Sequence, residues 1–357
     1  MGRAMVAVYW LMSLVALCTV CPVAEARSAR RPIASASSGV PWLQVQDGKL
    51  VGEEGQAVVL RGVSTHGLQW FPQFANGNAL KWLRDDWKIS VVRAAMYTAP
   101  EANGYIANRQ LANRVYSLVD AAIALNIYVI IDWHILSDGN PNQYRKEALA
   151  FFQDAAQRYG NVPNVLFEIC NEPNGNVTWE RDIRPYALEL TQVIRRHAPR
   201  NIIIVGTSTW SQDVDLAAEA PLTVSNIMYA LHFYAGTHTQ WLRDKVDRAL
   251  AKGLAIFVSE WGVSQASGTG GVYADEANRW LKFLAQRQIS WVNWNLSDGR
   301  ETSAVLAPGA NPQGGWADWN LSQAGQYVKA ASRSTMRKTR NRPGQMSSAK
   351  RRKTSAQ

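Results

Sequence analysis

Cysteine is scarce. The 357-residue chain has three, and Cys18 and Cys21 lie in an apolar N-terminal stretch, which leaves Cys170 alone in the rest. A single thiol closes no intramolecular disulfide, so stability has to come from a buried core. Charge is also sparse, at 18% of residues against 47% hydrophobic, which suits a large core and excludes a chain disordered or membranous throughout. No apolar run is as long as a membrane span, which needs about 20 residues. The run from Met5 to Val20, preceded by Arg3 and followed by Ala24-Glu25-Ala26, has the layout of a signal peptide cleaved after Ala26. A secreted, extracellular protein with no membrane attachment after cleavage is expected.

Acidic residues are missing from one region altogether. Residues 332 to 357 hold nine Lys or Arg and no Asp or Glu, and residues 1 to 39 add a net +3. Taken from the overall +10, these leave −2 for residues 40 to 331, so the folded part is nearly neutral. An unpatterned basic run reads as a solvated tail, and no nucleic-acid partner is expected. Residues 27 to 40 are small, polar and pattern-free, a linker. The domain boundaries are therefore a leader over 1–26, a linker over 27–40, one folded domain over 41–332 and a disordered tail over 333–357. A monomer is expected, with nothing after Ser332 patterned to form a second domain.

The domain itself alternates two patterns. Leu43 to Val51 alternates around Asp47-Gly48, a hairpin signal expected to plug the bottom of the fold. Short β-rich runs follow near 58–65, 89–97, 127–134, 165–172, 201–209, 227–234, 255–261 and 290–296. Amphipathic stretches separate them, such as Leu111 to Leu125, Tyr144 to Tyr159, Ile183 to His197, Trp241 to Lys252 and Glu276 to Gln286. Eight βα units in about 275 residues match an α/β fold of the (β/α)8 TIM-barrel kind, preceded by a β-hairpin. A doubly wound sheet is the alternative, but it gathers functional groups at one crevice rather than around a ring of strand ends.

Polar residues recur at those strand ends. They are His66, Arg93 with Tyr97, Asp132 with His134, Asn171 with Glu172, Trp210, His232 with Tyr234, Glu260, and Trp294. In a barrel they converge on one cleft. Two of them are carboxylates ending apolar strands, Glu172 in Val165 to Pro173 and Glu260 in Ala255 to Gly262. A pair of this kind is what glycoside hydrolysis needs, one as proton donor and one as nucleophile or base. Arg93 on a neighbouring strand would keep a nearby nucleophile ionised, while burial and a like charge would keep a donor protonated. Glu168 shares the strand face of Glu172 but sits four residues deeper, and it reads as a buried carboxylate paired with an Arg.

The segments Asn171-Glu172-Pro173, Ser259-Glu260-Trp261-Gly262 and Ile131 to Gly139 together resemble glycoside hydrolase family 5, in its bacterial-type endoglucanase branch. The resemblance runs from about Pro41 to Ser332. It implies a secreted retaining endo-β-1,4-glucanase acting on cellulose-like β-glucan. Under it, Glu172 is the acid/base, Glu260 the nucleophile, and Asn171 the partner of the sugar 2-hydroxyl. Arg93, His134, His232 and Tyr234 support the two carboxylates. Trp294 lies under the cleaved sugar, Trp70 and Trp210 are sugar platforms, and His66, Tyr97 and Glu301 bind substrate. Of the fifteen Trp, Trp82, Trp87, Trp241 and Trp280 lie at helical spacing and read as core. Gly299 stands where the branch often has Lys, which points to an altered distal subsite.

Three other readings compete. The same mechanism fits mannan, xylan or mixed-linkage glucan. A metal-dependent hydrolase would use His66, His134 and His232 with Asp132, but strand 1 lacks a His-x-His pair and no carboxylate cluster at the strand ends looks like a cage; neither metal nor cofactor is expected. A binding protein without turnover would leave both Glu unexplained.

Overall fold

The computed structural model describes residues 39–334. The leader, nearly all of the linker, and the tail beyond Ser334 lie outside the described residues. The chain opens with β1 (Gln44–Gln46) and β2 (Lys49–Val51), an antiparallel hairpin in which Val45 faces Leu50. Asp47 and Gly48 both have positive φ, the turn that suits the right-handed twist of a two-residue hairpin.

Eight parallel strands then close a barrel. They are β3 (Arg61–Thr65), β4 (Val91–Tyr97), β5 (Tyr128–His134), β6 (Val165–Glu168), β7 (Ile203–Val205), β8 (Ile227–Tyr234), β9 (Ile256–Gly262) and β10 (Trp291–Leu296), with β10 pairing back onto β3. Helices follow the strands, among them Leu111–Ala124, Arg145–Tyr159, Arg184–Arg195, Gln240–Ala251 and Ala274–Arg287. The expected (β/α)8 barrel with its leading hairpin is therefore the observed fold, and closure excludes the doubly wound sheet.

Period-two alternation sorts the strand residues. Val92, Ala94 and Met96 of β4, with Val129, Ile131 and Trp133 of β5, belong to the apolar shell under the helices. Val91, Tyr128, Ile130, Leu166, Met228 and Phe257 fill the lower barrel, together with Leu43 and Leu50 of the hairpin. The hairpin thus plugs the bottom, and Val45 donates its amide to Asn226 just before β8. Above this layer the interior turns polar with Arg93, Asp132 and Glu168, all fully buried. Higher still, Ala95, Tyr97, Tyr234 and Trp294 form a small apolar group at the C-terminal rim.

Three strands are shorter than the sequence suggests, with β3 starting only at Arg61 rather than near residue 58. β6 ends at Glu168, although Ile169 still donates to Ile204 and Asn171 to Trp133 through their amides. β7 ends at Val205, because Thr209, Trp210 and Ser211 all take positive φ, at 55°, 54° and 57°. Left-handed backbone of this kind costs about 1–2 kcal/mol per residue and cannot continue a strand. Among the tryptophans read as core, Trp87 and Trp280 are fully buried and Trp82 is half-buried. Trp241 is 44% exposed, so its assignment to the core is corrected. It opens the first turn of the helix after β8, where a helix rim meets solvent. The last helix among the described residues, Gln323–Arg333, includes Arg333, which pairs with Asp86. No helix among the described residues is long and apolar enough to cross a membrane.

Candidate active site

Parallel register brings the polar strand ends together. Ala95 lies beside Asp132, Tyr97 beside His134, Asp132 beside Glu168, and His232 beside Glu260. Arg93 rises from the centre and is the hub. Its Nε donates to Glu168 at 2.7 Å, Nη1 to Glu260 at 3.0 Å and Nη2 to Asn171 at 2.6 Å, with Asp132 3.0 Å from Nη2. Burial works against the guanidinium charge, yet Asp132, Glu168 and Glu260 together raise its proton affinity. Glu168 is the deep structural partner that its strand position suggested. Although burial opposes its charge, Arg93 and His232 hold it down at about 2.

Both oxygens of Glu260 are occupied by donors, Oε2 by Arg93 and Oε1 by the Tyr234 hydroxyl at 2.7 Å. Burial favours its neutral form, but His232, Arg93 and the Tyr234 hydroxyl outweigh burial and keep it below the usual carboxylate range. Glu172 goes the other way. Burial pushes its proton affinity up and the charge of Glu260 adds to that, against the lowering effect of His232. One oxygen of each carboxylate and a nitrogen of His232 all lie within 4.8 Å of one another.

His232 sits between them. Its Nδ1 is 2.9 Å from Glu172 Oε1 and its Nε2 is 3.0 Å from Ser259 Oγ. Burial would neutralise the ring, but the carboxylate of Glu168, 3.8 Å from Nε2, and the hydrogen bond to Glu172 raise it to about 9, so at neutral pH it is a cation that donates from both nitrogens. His134 has the opposite character. Burial and Arg93 lower it to about 3. With Asp132 at 2.6 Å from Nδ1 and the Asn171 amide nitrogen at 3.3 Å from Nε2, it is neutral, donates to Asp132 and accepts from Asn171. Asn171, held by Arg93 and Ile135 besides, has little freedom to turn.

The cleft over this centre has two lobes that share Leu136, Glu172, Tyr234 and Ala266. One lobe is lined by His66, Tyr97, His134, Glu260, Trp294 and Glu301. His134 stacks on Trp294 at 5.1 Å, and Trp70, 45% exposed, meets Tyr97 at 4.7 Å between ring centres, which makes a continuous aromatic wall. Glu301 Oε1 accepts from Asn295 at 2.6 Å and Ser303 at 2.9 Å and lies 3.6 Å from His66. The other lobe is lined by Leu136, Trp210, Gln212, His232, His238 and Ala266. Trp210, 45% exposed, projects from the left-handed turn. Its amide donates to Pro173, and Ser211 Oγ donates to the Asn171 carbonyl, so the turn is tied to the Glu172 segment. Gly206 permits this approach, since a Cβ there would lie 2.1 Å from the Cys170 carbonyl oxygen.

All thirteen residues singled out in the sequence thus lie in or beside one cleft. Sequence reasoning missed Gln212 and His238. The latter accepts the Tyr234 amide at Nδ1, so its Nε2 carries the proton, and it lies four residues past a strand end already marked as functional. The expectation that no strand-end cluster could cage a metal is corrected on geometry, because Glu172, His232 and Glu260 are close enough to share an ion. Their charge state fits donation better, since a protonated His232 offers no lone pair. The set imagined for a metal enzyme is not assembled: His66 pairs with Glu301, and His134 is engaged by Asp132 and Asn171.

Known proteins to which this chain is similar share one activity in their names. Residues 51–300 match the family model described as cellulase (glycosyl hydrolase family 5). Endoglucanase N of Pectobacterium atrosepticum is 56% identical over 287 residues, covering 80% of this chain and 64% of that protein. An endoglucanase of Clostridium saccharobutylicum is 54% identical over 288 residues, again 80% of this chain and 64% of that one. The chain therefore spans just under two thirds of the length of these curated relatives. Among solved structures, the catalytic domain of Thermobifida fusca endoglucanase Cel5A superposes with a TM-score of 0.77 at 39% identity, covering 81% of this chain and 96% of that one.

Proposed function

Since the chain belongs to glycosyl hydrolase family 5, we propose that it is a secreted, retaining endo-β-1,4-glucanase acting on cellulose-like β-glucan. The observation that carries this reading is the pair Glu172 and Glu260, with oxygens within 4.8 Å and proton affinities pushed in opposite directions. Retaining glycosidases hold their carboxyl groups about 5 Å apart and inverting ones about 6.5 Å or more.

In the proposed reaction Glu260, anionic and fixed by Arg93 and Tyr234, attacks the anomeric carbon while Glu172 gives its proton to the departing glycosidic oxygen. The bond to the leaving sugar breaks as the glycosyl-enzyme ester forms. Glu172, now a carboxylate beside the His232 cation, takes a proton from water, and that water displaces Glu260 with a second inversion. Asn171 is placed by Arg93 to meet the sugar 2-hydroxyl, and the Trp294 ring offers an apolar face to the sugar. His66, Tyr97, Trp70 and Glu301 line the glycone side, and Trp210 the leaving-group side.

The identity of the neighbouring relatives as endoglucanases favours glucan over other β-glycans. Purified protein assayed side by side on carboxymethyl cellulose, mannan, xylan and lichenan tests this. The highest kcat/KM is expected on carboxymethyl cellulose or lichenan, with activity unchanged by a chelator. Preference for mannan or xylan would leave the mechanism and change the substrate; loss of activity on chelation would favour an ion at Glu172, His232 and Glu260.

A further inference from the structure

Trp241 has an exposure that folding does not explain. A tryptophan presents about 150–250 Å² of largely apolar surface, and amphipathic helices normally turn that surface inward. Trp241 instead leaves 44% in water from the first turn of the Gln240–Ala251 helix. This turn follows the C-terminal end of β8, so it lies on the face of the barrel that carries Glu172 and Glu260. Its ring centre is 5.7 Å from that of His238, which lines the leaving-group lobe with Trp210 and Gln212.

The ring is also held. Lys245, one helical turn on, places Nζ 5.7 Å from the Trp241 ring centre and donates to Asp213 Oδ1 at 2.6 Å. The other oxygen of Asp213 accepts from Ser208 at 2.8 Å and from Thr209 at 2.6 Å, the residues that lead into the left-handed turn bearing Trp210. One buried carboxylate and one lysine thus connect Trp210 and Trp241, and a cation near the indole restrains its rotation. His238 shares the lining of this lobe with Glu172, Trp210 and Gln212, and Trp241 adjoins it through His238.

We propose that Trp241 is an additional sugar-binding platform that extends the leaving-group side of the cleft beyond Trp210, taking a further glucosyl unit of a β-1,4-linked chain. This rests on the glucanase reading above. The ring supplies an apolar face of pyranose size, and the Nε2–H of the neighbouring His238 supplies a donor for a hydroxyl group. Binding there draws a long chain toward the leaving-group side and so selects which bond lies over Glu260.

The test uses cellohexaose labelled at its reducing end, with an aryl cellobioside as a control whose leaving group is too short to reach Trp241. For Trp241→Ala we expect KM for cellohexaose to rise about 2- to 10-fold, the worth of one aromatic contact. Cleavage shifts toward the reducing end, kcat/KM on the aryl cellobioside is unchanged, and Trp241→Tyr retains the wild-type cleavage pattern. An unchanged melting temperature shows that each variant is folded. The inference is overturned if folded Trp241→Ala keeps the wild-type KM and cleavage pattern, or if it loses the same factor on the aryl substrate. Wild type that leaves cellohexaose intact while cleaving mannan or xylan overturns the glucanase reading, and the glucosyl platform falls with it.

Discussion

The hydroxyl of Tyr234 donates to Oε1 of Glu260 at 2.7 Å, and Arg93 fills the other oxygen, so the carboxylate proposed as nucleophile has no free rotation and a stabilised charge. Tyr234 itself stays protonated, because burial and the nearby Glu260 and Glu172 raise it well above its ordinary value. Replacing it with Phe removes a donor to the anion and raises the proton affinity of Glu260. The acidic limb of the kcat/KM profile therefore moves to higher pH, by about one pH unit for a hydrogen bond to a charged group. A profile identical to wild type would mean that Glu260 does not set that limb.

His232 links the site to stability. Its folded value of about 9 lies above the ordinary 6.5. A raised value stabilises the fold fully below the unfolded value and ceases to do so as pH rises through the folded one. The wild-type melting temperature should accordingly fall between pH 6.5 and 9, and His232→Gln should flatten that fall while starting from a lower value. Parallel curves for the two proteins would show that His232 is neutral throughout.

How much of this was legible beforehand depended on whether a residue's role was local. The barrel followed from period-two runs, and Glu168 could be placed below the cleft because strand spacing alone sets depth. The Asp47-Gly48 hairpin was equally readable, since the turn chemistry lies in two adjacent residues. Trp241 was misread because helical spacing tells which residues share a face, whereas its exposure depends on where the helix begins relative to the rim. The early end of β7 was invisible for a similar reason. Nothing in Thr209-Trp210-Ser211 signals positive φ; Asp213, Lys245, Pro173 and Asn171 impose it from outside the segment. His238 was overlooked because its tautomer is set by the Tyr234 amide, a contact that exists only in the fold.

The loop at Gly299 gives a separate prediction. A Cβ at this position would meet Phe71 and Ser297 at 3.3 Å, and its backbone is not left-handed, so a side chain fits after a small adjustment. Gly299→Lys should change KM for long glucans more than kcat, because it adds contacts beside Glu301 and Phe71 rather than at the reacting sugar. An equal fall in kcat and kcat/KM would place this loop at the chemistry.

The central claim is the division of labour between the two carboxylates, and azide rescue of their alanine variants on an activated β-glycoside tests it most directly. Glu172→Ala still forms the glycosyl-enzyme with a good leaving group, and azide should then displace Glu260 to give the β-azide, with configuration preserved. Glu260→Ala has no nucleophile, so azide should enter from the vacated face and give the inverted α-azide. The opposite pattern would exchange the two roles, and release of α-configured product by the wild type from a β-linked glucan would contradict the retaining mechanism itself.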